Sequence, residues 1–262
     1  MTILKAELRR GAKALILWTA VIGFLLGICI LIYPEMESQM NEISGMFSEM
    51  GSFSAAFGMD RVNFGEFMGF FAVECGNVLG LGGALFGALL GIGALAGEEK
   101  EGTAEFLLTH PVSRRSVLLQ KLGAVLLQIL ILNGAVLGIS LVSALLVGEA
   151  PEGKTFVLLF LAYLILQMEI ASICFGISAF LSRGGQGLGL GIAALAYFLN
   201  IIANLTEDAG FLKYITPFGY CEGADLLADG RMDAAKAAVG IAVGAAGIAA
   251  AFVYYRKKDI HG

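Results

Sequence analysis

The chain has 262 residues, of which 58% are hydrophobic and only 15% charged, with a net charge of −5. A soluble domain carries about 45–50% apolar residues, and here the excess is gathered into blocks of about 20 residues or more, enough to cross ~30 Å of hydrocarbon as helix. This composition excludes a water-soluble globule and a nucleic-acid-binding protein, and predicts an all-α integral membrane protein forming a single transmembrane unit over 1–262.

The N-terminal residues 1–13 carry Lys5, Arg9, Arg10 and Lys13 and read as a basic amphipathic segment. The first span follows over 14–33. It is too long for the apolar core of a signal peptide and has no small-x-small cleavage site, which predicts a retained helix. Residues 34–69 form a long connection in which Met36, Met40, Ile43, Phe47, Met50 and Phe57 recur at helical spacing among acids. That pattern predicts an amphipathic helix packed at the membrane surface. The thioethers also permit a soft-metal reading, but no His or Cys cluster with ligand spacing accompanies them, and no metal site is expected. Cys75 and Cys221 both fall near the ends of spans on one side, so a disulfide between them stays open.

The second span covers 70–97, with its start anywhere between Phe67 and Asn77. Gly76, Gly80, Gly83, Gly87 and Gly91 lie at intervals of three and four, all on one helix face. Small faces let helix backbones approach closely, which suits packing inside the chain, a subunit interface or a sliding surface. Glu74 is an acid near one end of this span.

A charged island follows over 98–115. Glu98, Glu99 and Glu101 fit the first turn of a short helix over 98–110, where carboxylates complement the helix dipole. Gly102 and Thr103 keep its middle small, and Glu105 and Phe106 complete it. Pro111 turns His110 away from helix. Ser113 is placed to cap the next helix, which carries Arg114 and Arg115 into the third span, 117–147.

The fourth span, 155–181, holds Glu169 near its middle. A charge at that depth costs about 2.5–3.5 kcal/mol on insertion scales, so it must face the bundle or a wet cavity. Either it lines a pathway or it is hydrogen-bonded to a neighbouring helix. Asn200, in the fifth span (188–205), is a further polar pathway candidate. The connection 206–233 has a Pro217-Phe218-Gly219 break and two short helices, and the sixth span covers 234–255.

Two short matches mislead. Gly148 to Thr155 fits the phosphate-loop pattern, but that pattern needs a strand before it and a helix after it, and here it joins two spans. Leu181-Ser182-Arg183-Gly184-Gly185-Gln186 echoes the ATPase signature without the surrounding domain. No catalytic constellation is visible, so the chain is not expected to be an enzyme.

Basic residues set the orientation. Lys5, Arg9, Arg10, Lys13, Lys100, Arg114, Arg115, Lys121, Arg183, Arg256, Lys257 and Lys258 share one side, against Arg61, Lys154, Lys213 and Arg231 on the other. Both termini are therefore expected in the cytoplasm.

The run Glu98 to Arg115, continuing to Lys121, together with Ile215-Thr216-Pro217-Phe218 before the last span, resembles the permeases of ABC-2 type transporters, and the likeness extends over essentially the whole chain. The resemblance implies six spans with cytoplasmic ends, a coupling helix at 98–110 and short outer helices before the last span. It implies an exporter subunit in the cytoplasmic membrane that pairs with a second permease chain and with ATP-binding subunits. ATP and Mg would belong to those partners, with no cofactor here. Glu98, Glu99, Glu101, Gly102, Thr103, Glu105, Phe106, Arg114 and Arg115 would carry the coupling, and the loop around Ser182–Gly187 a smaller contact. The alternative reading is an ion- or proton-coupled secondary carrier using Glu169, against which no internal repeat is visible.

Overall fold

The computed structural model describes residues 2–100, 113–181 and 184–255. Every regular element among them is helical: α1 (Thr2–Glu49), α2 (Ser52–Ala56), α3 (Phe67–Cys75), α4 (Gly82–Lys100), α5 (Arg114–Leu146), α6 (Gly153–Ser178), α7 (Gln186–Leu205), α8 (Gly223–Asp229) and α9 (Ala234–Tyr255). A π-helical stretch, Gly76–Leu81, joins α3 to α4 into one rod. Six helices are long and apolar enough to cross a membrane. The second and fourth are the inner ones, with 61% of their most apolar windows buried, against 22–28% for the first, fifth and sixth. Large apolar side chains such as Ile16, Leu17 and Phe24 on α1 stay exposed, as expected where lipid is the solvent.

The helix α1 departs from the expected division into a basic segment, a span and a long connection. It is one continuous helix of 48 residues with Pro34 inside it. A proline removes one backbone donor and crowds the preceding turn, but spanning helices tolerate this where neighbours take up the freed groups. Just before Pro34, the Tyr33 hydroxyl donates to the carbonyl of Gly65 at 2.9 Å and its ring packs on Phe67 and Phe70. The basic N-terminal turns are likewise part of α1 and pack on α5. The Leu4 N–H donates to Gln120 Oε1 at 3.3 Å, and Lys121, 2% exposed, donates to Glu7 Oε1 at 2.6 Å and to the Ala94 carbonyl at 2.9 Å. The side chains of Met40, Ile43 and Phe47 lie outside the described residues; Met36 packs against the main core.

The second span begins at Phe67 and continues to Lys100. Glu98 and Glu99 are therefore in the last turn of α4, not in the first turn of a separate helix. Gly97 does not break the helix, because the residues after it are good helix formers and glycine costs only about 1 kcal/mol inside one. The expected cap at Ser113 is present: its Oγ accepts from the Ser116 N–H at 3.2 Å. Asp233 caps α9 in the same way, accepting from Ala235 and Lys236. The N–H of Lys236 above all holds its carboxyl below the usual aspartate range. Arg114 donates to the carbonyl of Tyr255 at 3.1 Å, so the starts of α1 and α5 and the end of α9 meet at one end of the bundle, called here the terminal end. The opposite, loop end carries 50–66, 147–152 and 206–233.

The glycine face has a defined partner. A Cβ at Gly76 would lie 2.8 Å from the Tyr163 hydroxyl, one at Gly80 3.0 Å from the Tyr163 ring, and one at Gly87 2.9 Å from the Gln167 carbonyl. At Gly83 it would overlap the Gln167 amide, and at Gly91 the Ala171 carbonyl. All five glycines thus press on α6. Its other side meets the glycines of α9: a Cβ at Gly176 would lie 2.5 Å from the Gly247 carbonyl, and one at Gly247 2.8 Å from the Ser172 carbonyl. Of the readings open from sequence, packing inside the chain is the one observed. Gly91→Ala forces two backbones apart, and overpacking of this kind costs about 1–3 kcal/mol. Gly93, with nothing near its missing Cβ, is the control. Thermal unfolding in detergent is expected to show a clear drop in Tm for Gly91→Ala and none for Gly93→Ala.

Candidate functional site

Three polar assemblies interrupt the apolar bundle. The first is inside it, where α6 meets the π-helical stretch. Asn133 donates to Gln167 Oε1 at 2.6 Å, and Gln167 Nε2 donates to the Leu79 carbonyl at 3.3 Å. A π turn leaves carbonyls out of the regular helical ladder and recurs at functional positions; here a side chain from another span takes one up.

The second is Glu169. Its residue is 6% exposed, and its Oε2 accepts from the Tyr220 hydroxyl at 2.6 Å. Gly240 of α9 lies against the same carboxyl, where any Cβ would collide with it. Tyr220 comes from the 206–233 connection, which does not stay outside the bundle as expected. The short 3-10 turn Pro217–Tyr220 and the helix α8 fold inward, with Phe218, Tyr220, Cys221 and Leu226 all buried. Thr216 caps that turn and donates to the Ala196 carbonyl, midway along α7, at 2.6 Å. Cys221 donates to the Ala162 carbonyl at 3.2 Å. Cys75 and Cys221 are both buried free thiols and form no disulfide.

The third assembly is at the loop end. Glu222 Oε2 accepts from Asn200 and from Asn204, both at 2.9 Å. Its Oε1 lies 3.5 Å from Arg61, whose guanidinium also pairs with Asp225. Gly58, at φ +68°, leaves room there that a Cβ would take from Glu222. Asn200 and Glu222 border a small open cleft of about 40 Å³, together with Asn77, Tyr163 and Tyr197, and the Tyr197 hydroxyl donates to Asn77 Oδ1 at 3.1 Å. At the terminal end, a wider cavity of about 570 Å³ is bordered by Glu7, Arg10, Gly97, Lys121, Gln128 and the Gly184–Gly187 turn.

The three sequence candidates for a pathway are not brought together. Asn200 faces the loop-end cleft. Glu74 is half-buried beside Cys29, whose thiol points at its Oε2 from 3.9 Å. Glu169 borders neither cavity. Arg114 ties α5 to α9, and Arg115 is exposed. Glu101, Gly102, Thr103, Glu105 and Phe106 lie outside the described residues, as do Ser182 and Arg183. The sequence reading missed Glu222, Arg61, Asn204, Tyr197 and Tyr220. The one available signal was the Thr216-Pro217 cap and turn ahead of an apolar run, which marks a segment able to enter the bundle.

The phosphate-loop lookalike is a turn between α5 and α6, with Gly148 at φ +82° and Thr155 donating to Glu152 at 2.9 Å. No strand precedes it. A family model described as "ABC-2 family transporter protein" matches residues 1–260. The chain belongs to the ABC-2 transporter family. No curated protein is similar enough in sequence to count as a relative. As an ABC transporter permease, this multi-pass chain is a transport component and not itself a catalyst.

The Glu169–Tyr220 bond holds the inward-folded segment of this permease to its central helix. Tyr220→Phe leaves the carboxyl without its donor, a loss of about 1–3 kcal/mol. Glu169→Gln keeps an acceptor for Tyr220. Thermal unfolding of the purified chain is expected to rank wild type above Glu169→Gln and Glu169→Gln above Tyr220→Phe.

Proposed function

We propose that this permease is the membrane half of an exporter in the cytoplasmic membrane, paired with a second permease chain and driven by ATP hydrolysed, with Mg, on separate ATP-binding subunits. The observation that carries this reading is the family match over nearly the whole chain together with six spanning helices. The excess of Lys and Arg at the terminal end supports a cytoplasmic position for that end. ATP is cytoplasmic, so the partners would meet the chain there.

The coupling element in this reading is the segment 98–110. Its surroundings suit a mechanical input. The Lys121 ammonium links Glu7 of α1 and the Ala94 carbonyl of α4, so force applied after Gly97 would reach α1, α4 and α5 together. The Gly184–Gly187 turn borders the same cavity, which suits the 182–187 loop as the smaller contact. From α4 the displacement would pass to α6, because Gly87 and Gly91 seat directly on the α6 backbone at Gln167 and Ala171 and close-packed contacts transmit strain. The carrier reading needs a mid-span acid open to a pathway, and no observation favours it for Glu169.

Co-expression with an ATP-binding subunit tests the proposal. Replacing Gly102 and Thr103 with Trp is expected to abolish co-purification or to lower ATP turnover at least tenfold, with the permease still monodisperse. Retention of both attachment and turnover overturns the coupling assignment.

A further inference from the structure

The loop-end cleft carries a polar imbalance that follows from its hydrogen bonds. A carboxylate has no protons to give, so each amide facing Glu222 must turn its NH2 toward it. Asn200 and Asn204 do so, and their orientation is thereby forced. Both amide oxygens point away from the carboxylate and are buried with no hydrogen-bond partner among the described residues. Asn200 is 8% exposed and borders the cleft. A buried acceptor left unfilled costs about 1–3 kcal/mol, so the site calls for a donor from outside the protein.

The charge and the walls narrow the donor. Glu222 puts a carboxylate in the wall of the cleft, with Arg61 3.5 Å from its Oε1. Arg61 is already engaged with Asp225 and Glu222. The lining adds the aromatic residues Tyr163, Tyr197 and Phe218, and aromatic rings attract cations when water is partly excluded. An anion would find few free donors here, whereas a cation with N–H groups finds an acceptor, negative charge and aromatic rings together.

We propose that this cleft binds a protonated primary amine, with its ammonium donating to Asn200 Oδ1 within the field of Glu222 and a small apolar body against Tyr163 and Phe218. The site belongs to this chain alone and does not rest on the transport reading, so it is tested without partners. Full-length permease in detergent is titrated with propylammonium, 1-propanol and propionate at matched ionic strength, following heat and Tm. Propylammonium is expected to bind saturably and raise Tm, with the other two inactive. Asn200→Leu is expected to weaken binding at least tenfold, and Phe218→Leu, which removes a ring the bound amine would lie against, is expected to weaken it severalfold and covers the case in which Asn200→Leu fails to fold. Absence of saturable propylammonium binding overturns the proposal, since a water alone would then fill the acceptor. Equal binding of propanol, preferential binding of propionate, or wild-type affinity in both variants overturns it equally.

Discussion

Backbone-to-backbone contact along α6 is the constraint on which the rest of the bundle depends. Within a bilayer, lipid is as apolar as the helices, so burial of leucine gives little reason for one helix to choose another. Close approach supplies dispersion and dipolar contact instead, and it requires surfaces without side chains. The second span and α9 each present such a surface, and α6 lies between them with Tyr163, Gln167 and Glu169 filling the recesses. Each of those three side chains occupies space that a glycine vacated. Glycine placement and polar placement are thus one arrangement, in which removing Cβ atoms from two helices makes room for hydrogen-bonding groups on the third.

The two ends of the bundle are built differently. At the terminal end a single buried ammonium ties three helices, and the cavity beside it is wide. At the loop end the chain folds back into the bundle and spends its polar groups on holding that segment: Thr216 on Ala196, Tyr220 on Glu169, Cys221 on Ala162, Glu222 on Asn200 and Asn204. Irregular backbone at membrane depth is tolerated only where protein or water satisfies it, and these bonds meet that condition. The cleft forms where the inward segment, α7 and the π-helical stretch fail to close completely.

In the coupling we propose for this ABC-2 family permease, the asymmetry suits force received at the terminal end and opening at the loop end. The rigid contact between the second span and α6 would carry displacement along the bundle. The loop end, held by discrete hydrogen bonds, has contacts that can break one at a time. A stretch of π-helix lies beside the cleft, and such turns recur at functional positions.

The number of spans, their approximate limits and the positions of the glycine face were legible in the sequence, because hydrocarbon thickness and helical periodicity act locally and leave their mark on consecutive residues. The Ser113 cap was legible for the same reason. The continuity of α1 through Pro34 was not, since whether a proline ends a helix depends on the packing around its turn, here the Tyr33 ring against Phe67 and Phe70. Nor was the role of Glu169, whose partner stands 51 residues away on a segment that composition alone placed outside the bundle. Glu222 was one acid among many in a loop until folding set Asn200, Asn204 and Arg61 around it. Sequence by itself determined that this chain lies in a membrane and which helix faces are smooth. Tertiary structure decided which polar groups meet, because hydrogen bonds between distant spans depend on distances that no local pattern encodes.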